Sequence, residues 1–107
     1  MSETCLELVI FKIKDPARAR DARRAAQQVI QSYDGFISWR ACEGAEDANL
    51  FADLVEWRDL ATAKAAGERI MADPGVAALM SEIDSVVVMA HFKTDRSITV
   101  SSGAAAA

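Results

Sequence analysis

The feature that most constrains this fold is a set of strand-like segments that are apolar on both faces. A strand with one face in water alternates apolar and polar residues. Residues 5–13 are instead apolar on both sides of the alternation, and Val86 to Val88 run directly into Met89. Only two substantial helices are predicted to cover such a sheet. We therefore expect helices on one face and a second copy of the chain on the other, which gives a homodimer through sheet faces.

The predicted elements follow the order strand, helix, strand, strand, helix, strand. Asp15-Pro16 is typical of a helix start, and Asp34-Gly35 of a helix end. Asp59 caps a second helix, which Asp73-Pro74-Gly75 interrupts before a short continuation. The strands are predicted at residues 5–13, 36–43, 50–57 and 85–93.

Right-handed crossovers turn each half of this order into a split strand-helix-strand unit. The fold class is therefore α+β, with a ferredoxin-like βαββαβ order, an antiparallel four-stranded sheet and two helices on one face. A chain of 107 residues forms one domain. We assign residues 1–95 to it and 96–107 to a weakly specified tail, in which Ile98-Thr99-Val100 could add an edge strand.

The charge pattern argues against a nucleic-acid partner, since phosphate binding depends on clustered Lys and Arg. The formal net charge is -4. Four arginines do cluster on the first helix, but acidic neighbours dilute them and we interpret them as a solvated helix face: Arg18, Arg20, Arg23 and Arg24.

The predicted location is the cytoplasm, without contact to a membrane. No basic stretch followed by an apolar run opens the sequence, and no segment has the ~18 apolar residues of a membrane helix. Cys5 and Cys42 lie in separate strands and belong to no ligand-spaced pair. Free buried thiols are typical of a reducing compartment.

Three short motifs resemble the antibiotic-biosynthesis-monooxygenase-like family of the dimeric α+β barrel superfamily. They are Asp34-Gly35-Phe36, Glu56-Trp57 and Met89-Ala90-His91-Phe92, and the resemblance spans about residues 5–93. It implies homodimers whose sheets face each other, each subunit with a small cavity between sheet and helices. It also implies activities that include cofactor-free oxidation of polycyclic phenols, haem breakdown and quinol oxidation. Haem breakdown is not expected, because the second helix and its continuation lack the Trp and His of that pattern.

His91 and Asp53 are the candidate catalytic residues. His91 is the only histidine, so a general base near neutral pH falls to it or to a carboxylate of shifted pKa. We expect His91 to face the cavity, although a lone His on an apolar strand is often a core residue. Asp53 shares a strand face with Trp57 and needs a partner or a raised pKa. Arg40 is one candidate partner across the hairpin, and an ion pair without function is the alternative.

Trp57, Phe11 and Arg40 are the candidate substrate-binding residues. An indole suits stacking against a flat ring, and ordinary core packing at the strand–helix junction is the more usual role of such a Trp. Trp39 fits either an interface or a cavity wall. The sequence contains no glycine-rich phosphate loop, nucleotide fingerprint or metal-ligand spacing, so no cofactor and no metal are expected.

Two functions remain open from the sequence. The first is a cofactor-independent monooxygenase-like protein that binds a small, flat, mostly apolar molecule of aromatic or polyketide type. The second is a non-catalytic homodimeric binding or assembly module of the same fold. A cavity shaped for a ligand favours the first, and a cavity filled by side chains favours the second.

Overall fold

The computed structural model describes residues 4–101 and confirms the predicted ferredoxin-like fold. The sheet has the strand order β2-β3-β1-β4, with antiparallel neighbours throughout. The elements are β1 (Cys5–Ile13), α1 (Pro16–Ile30), β2 (Phe36–Glu43), β3 (Leu50–Trp57), α2 (Leu60–Ile70), α3 (Ala77–Glu82) and β4 (Ile83–Phe92).

The helix starts follow the predicted capping chemistry. Asp15 accepts a hydrogen bond from the Arg18 backbone N–H at 2.9 Å, directly before Pro16 at the first turn. Asp59 accepts from the Thr62 backbone N–H at 2.8 Å, and the Thr62 hydroxyl completes a capping box. Contacts between residues three positions apart therefore determine where α1 and α2 begin.

The end of α1 differs from the prediction. The helix stops at Ile30 with Gln31 as its C-cap, and Gly35 follows after a turn. Gly35 has φ +83°, and a Cβ built on it would lie 2.4 Å from the Thr62 hydroxyl oxygen. The glycine is needed for a left-handed backbone and for close passage over the start of α2, rather than for capping α1.

The C-terminal edge strand is absent. Residues 98–100 do not form a strand, and both Ile98 and Val100 are largely exposed. Residues 102–107 of the predicted tail lie outside the described residues.

Strand register divides the sheet into two faces. Glu7 lies opposite Val55 on β3 and His91 on β4, and this side faces the helices. Leu8 lies opposite Leu54 and Ala90 on the other side, which no helix of residues 4–101 covers. We call this second side the open face; its central residues are Leu6, Leu8, Ile10, Ala52, Leu54, Val88, Ala90 and Phe92.

Small side chains bring the helices close to the sheet. Ala19 and Ala26 of α1 are fully buried, as are Ala63 and Ala66 of α2. Leu60 at the start of α2 and Met71 just after its end are instead 46% and 75% exposed. Thr62, held under Gly35, turns the alanines rather than these longer residues toward the sheet.

Candidate ligand cavity

A cavity of about 290 Å³ lies between the sheet and the helices. Its size is close to the lower limit of ligand sites in proteins. Both indoles of the chain and two carboxyl groups are part of an otherwise apolar lining. The lining residues are Glu7, Val9, Phe11, Ile30, Trp39, Asp53, Val55, Trp57, Gly67, Ile70, Met71, Val76, Leu79, Met80, Ile83, Val86 and Met89.

Aromatic side chains form the rigid part of this lining. Trp57 and Phe11 are almost completely buried, and both border the cavity as well as the core. The ring of Phe36 meets Trp57 edge-on at 5.7 Å between centroids, which fixes the plane of the indole. Trp57 is therefore both a packed core residue and part of the cavity wall.

Asp53 is held by two donors that sequence reasoning did not pair with it. Arg23 Nη1 donates to Asp53 Oδ1 at 3.0 Å, and Trp39 Nε1 donates to the same oxygen at 2.9 Å. Burial raises the pKa of Asp53 above its usual value, while the bonds from Trp39 and Arg23 act in the opposite direction. The carboxyl is thus part of a buried ion pair that borders the cavity.

Arg23 corrects the prediction of a solvated arginine face. Its side chain is 3% exposed, lies 4.1 Å over the ring of Phe51 and also donates to the Cys42 carbonyl at 3.2 Å. Position 23 lies on the stripe of α1 that includes Ala19 and Ala26, so the helix carries the guanidinium into the core. The other three arginines do form solvent-side ion pairs.

The register excludes the expected pairing of Arg40 with Asp53. Arg40 lies opposite Leu54, whereas Asp53 lies opposite Ala41. Since successive side chains of a strand point to opposite faces, Arg40 lies on the solvent side of the sheet and is exposed. Arg40 is not part of the cavity lining, and its contact with a substrate stays a prediction.

Glu7 is the site residue that sequence reasoning missed. Its Oε1 accepts a hydrogen bond from Trp57 Nε1 at 2.9 Å, and the side chain is half-buried in the cavity wall. Burial raises the pKa of Glu7, opposed by the Trp57 bond and by nearby His91, and Asp53 adds to the rise. One sequence feature could have identified Glu7: it is a lone carboxylate among the inward-facing residues of a buried central strand.

His91 lies across the sheet from Glu7 but does not belong to the cavity lining. It borders a separate, wider opening of about 390 Å³ near the start of β1, with Thr4, Cys5, Leu60, Phe92 and Lys93. Its Nε2 is buried and has no hydrogen-bond partner within residues 4–101. The structure thus separates the two predicted catalytic residues: Asp53 lines the cavity, and His91 borders the other opening.

The mouth of the cavity is apolar and exposed. Met71, Met80, Val86 and Met89 all line the cavity, yet all are exposed hydrophobic residues. Methionine is unbranched and adapts to the shape of a neighbouring group. The entrance is therefore formed by side chains that can adjust to an apolar ligand.

Neither a metal-binding cluster nor a membrane-spanning helix occurs in the described part of the chain. Residues 4–101 contain no cluster of three His, Cys, Asp or Glu side chains arranged to hold a metal ion. Over the same residues, no helix is both long and apolar enough to span a membrane.

Solved structures share this architecture. A point variant of SnoaB, a cofactor-independent oxygenase from Streptomyces nogalater, is 16% identical, with 91% of this chain and 98% of that chain covered and a TM-score of 0.74. A candidate antibiotic biosynthesis monooxygenase from Bordetella bronchiseptica is 8% identical, with 87% and 98% covered and a TM-score of 0.75. The chain has the fold of these proteins. The predicted resemblance is confirmed for the fold, which by itself does not establish activity.

A further example is a candidate antibiotic biosynthesis monooxygenase from Deinococcus radiodurans, 16% identical, with 91% and 98% covered and a TM-score of 0.67. No protein-family model matches the chain, and no curated protein sequence matches it.

Proposed function

We propose that this protein binds a small, flat, mostly apolar molecule of aromatic or polyketide type between sheet and helices, and oxidises it with dioxygen without a metal or flavin. The observation that carries the proposal is the apolar cavity of about 290 Å³, walled by two indoles, on the fold of a cofactor-independent oxygenase. A cavity of this kind orients a ring and excludes water, which are the main requirements of such chemistry.

The reaction balances with a phenol and dioxygen alone. A ring C–H opposite the hydroxyl becomes C=O, the hydroxyl becomes the second C=O, and the other oxygen atom leaves as water. The phenol loses four electrons, and dioxygen accepts all four. The protein has to remove the hydroxyl proton, because the resulting phenolate gives electrons to dioxygen more readily than the phenol does.

A second copy of the chain is the proposed cover of the open face. The centre of this face is aliphatic, whereas Ser38, Arg40, Glu56 and Lys12 lie around it. An apolar centre with a polar rim is the usual composition of a protein–protein interface. Leu54 and Phe92 remain 41% and 48% exposed in the single chain, and burying such side chains contributes roughly 1.5–3 kcal/mol each.

The cytoplasm remains the proposed location. Cys5 and Cys42 are both free thiols in the structure. Free thiols of this kind persist in a reducing compartment and are oxidised or paired in an oxidising one. A redox-sensitive thiol titration on protein isolated from its native cells is the direct check.

One observation favours the alternative, a binding module without catalysis. Asp53 is already paired with Arg23, and His91 lies outside the cavity, so neither predicted base is free to act on a bound ring. A module of this kind would use the same cavity and the same open face, but it would leave its ligand unchanged.

Calorimetric titration with 1-naphthol, followed by measurement of oxygen uptake in the presence of a chelator, tests both functions. Binding with uptake and 1,4-naphthoquinone formation supports the oxygenase. Binding without uptake supports the module and contradicts oxygenation of this phenol. Absence of binding contradicts the cavity as a ligand site.

Gly67→Leu is the variant that shows where 1-naphthol binds. Gly67 lines the cavity from α2, and a Cβ at this position meets nothing within 4 Å, so we expect a leucine here to occupy part of the cavity. Replacing a helical glycine also favours folding, by about 1 kcal/mol. Gly67→Leu should abolish binding, whereas Ala61→Leu at an exposed position of the same helix should preserve it.

A further inference from the structure

We infer that Glu7 recognises the ligand by accepting a hydrogen bond from a hydroxyl on its ring, which makes phenols the preferred ligand class and places this carboxylate where the phenolic proton leaves. The inference rests on the proposed function and adds the residue that recognises the hydroxyl and receives its proton. Glu7 lies on the central strand β1, points to the helices and lines the cavity.

The geometry of Glu7 leaves one oxygen available. Trp57 Nε1 binds Oε1 at 2.9 Å, which fixes the carboxyl group against the indole wall. Within residues 4–101, the other oxygen, Oε2, accepts no hydrogen bond. A ring that stacks near Trp57 can therefore bring a hydroxyl to Oε2 without breaking an existing bond.

Asp53 differs from Glu7 in its charge environment. The guanidinium of Arg23 lies 3.0 Å from Asp53 and compensates its charge. Among the described residues, Glu7 has no salt-bridge partner within 4 Å. An uncompensated carboxylate in an apolar wall gains more from a ligand donor than a paired one does.

The titratable groups around Glu7 come from both neighbouring strands. His91 faces it from β4, and Asp53 lies near it on β3, together with Cys5 on its own strand. The residues that line the cavity from α1 and α2 are uncharged: Ile30, Gly67 and Ile70. Burial is the main cause of the raised pKa of Glu7, so its carboxylate is a stronger base than an exposed one.

Three ligand classes should be separated by this arrangement. A phenol donates its hydroxyl hydrogen to Oε2, and on transfer the O–H electron pair stays on the ligand oxygen while the proton binds the carboxylate. A methyl ether has the same ring but nothing to donate. An aromatic carboxylate carries a negative charge toward Glu7 and is repelled.

The test compares 1-naphthol, 1-methoxynaphthalene and 1-naphthoate by calorimetry on wild-type protein, Glu7→Gln and Glu68→Gln. Gln keeps an acceptor for Trp57 but removes the charge. Glu68 is exposed on α2, so its variant changes the net charge equally without altering the cavity. Melting temperature confirms that each variant is folded.

Wild type and Glu68→Gln should bind 1-naphthol about tenfold more tightly than the ether, as expected for a charge-assisted hydrogen bond. This preference should increase as pH rises through the pKa of Glu7. Glu7→Gln should lose the preference and its pH dependence, and should gain affinity for 1-naphthoate. A loss of fold could not produce that gain.

Equal binding of naphthol and ether by wild type, or an unchanged preference in Glu7→Gln, overturns the role of Glu7 while the cavity remains a ligand site. Failure of all three ligands to bind wild type overturns the proposed function and this inference together. The two failures are therefore distinct.

Discussion

The two faces of the sheet differ in where their charged and apolar side chains lie. The face under the helices contains the buried or half-buried carboxyl groups of Glu7 and Asp53, and Arg23 of α1 pairs with Asp53 there. The open face has aliphatic residues at its centre, and no helix of residues 4–101 covers them. Charges under a helical layer and apolar residues in solvent both cost free energy in a single chain. The comparison supports both proposals, a small-molecule site on one face and a second copy of the chain on the other.

Stability alone does not explain the polar groups of the helix face. A buried ion pair is often no better for stability than well-packed apolar residues, because desolvation of both charges opposes their attraction. The open face is the opposite case, since its residues stabilise the protein only once they are covered. Mutations on the two faces should therefore separate folding, ligand binding and association.

Trp57→Ala should give the largest effect, a loss of about 3–5 kcal/mol of unfolding free energy. The indole is 1% exposed, and its removal also takes away the hydrogen bond to Glu7. Urea unfolding measures the change. A variant that unfolds at the wild-type midpoint would show that Trp57 is not part of the core.

Arg23→Met should cost nearly as much, about 3–5 kcal/mol, because it leaves Asp53 buried without its counter-charge. The double variant Arg23→Met, Asp53→Asn should recover much of this loss. Urea unfolding of both variants gives the comparison. Equal stability of the single and double variants would contradict a tight Arg23–Asp53 pair.

Leu54→Lys should act on association rather than on folding of the single chain. Leu54 lies on the open face and is 41% exposed, so a lysine is tolerated in the monomer but not under a second copy. Loss of one buried aliphatic side chain should weaken the dimer by roughly 1.5–3 kcal/mol, seen by sedimentation.

Leu60→Lys is the matched control for association, since Leu60 is similarly exposed but lies on α2. It should leave the dimer intact. A wild-type protein that sediments as a monomer at micromolar concentration would contradict the homodimer.

Tyr33→Phe should reduce stability by about 0.5–1.5 kcal/mol through loss of one hydrogen bond. The Tyr33 hydroxyl donates to Asp73 Oδ2 at 2.6 Å and ties the end of α1 to the α2–α3 turn. This bond holds the pKa of Asp73 below its usual value. The stability it provides is therefore present above the unfolded pKa of Asp73 and is lost as pH falls, so the two proteins should converge in acid.

Glu7→Gln should give the smallest effect on stability, a gain of ~0.5 kcal/mol near neutral pH. Since the pKa of Glu7 is raised by folding, the folded protein binds this proton more tightly than the unfolded chain. Wild-type stability from this group is present at low pH and is lost as pH rises through the folded pKa. The gain should therefore vanish well below the ordinary Glu pKa of about 4.3, where the wild-type carboxyl is neutral in both the folded and the unfolded state. A gain that persists in acid would contradict the pKa shift.

Local sequence chemistry determined the element order, the strand bounds to within two residues and both helix starts. The signals involved, such as Asp15-Pro16 and the Asp59 cap, act between residues a few positions apart. The apolar residues on both faces of the strands likewise indicated a sheet with one face that the helices of the same chain do not cover. These features need no knowledge of what a segment packs against.

Only the tertiary structure determined which side chains of the site pair with each other. One residue of register puts Arg40 on the open face, and the rotation of α1 carries Arg23 to Asp53 instead. The register of β1 against β3 brings Glu7, 50 positions away in sequence, to Trp57. Hydrogen bonds of this kind depend on which side chains converge when strands and helices pack, and the residue types at single positions carry no information about that convergence.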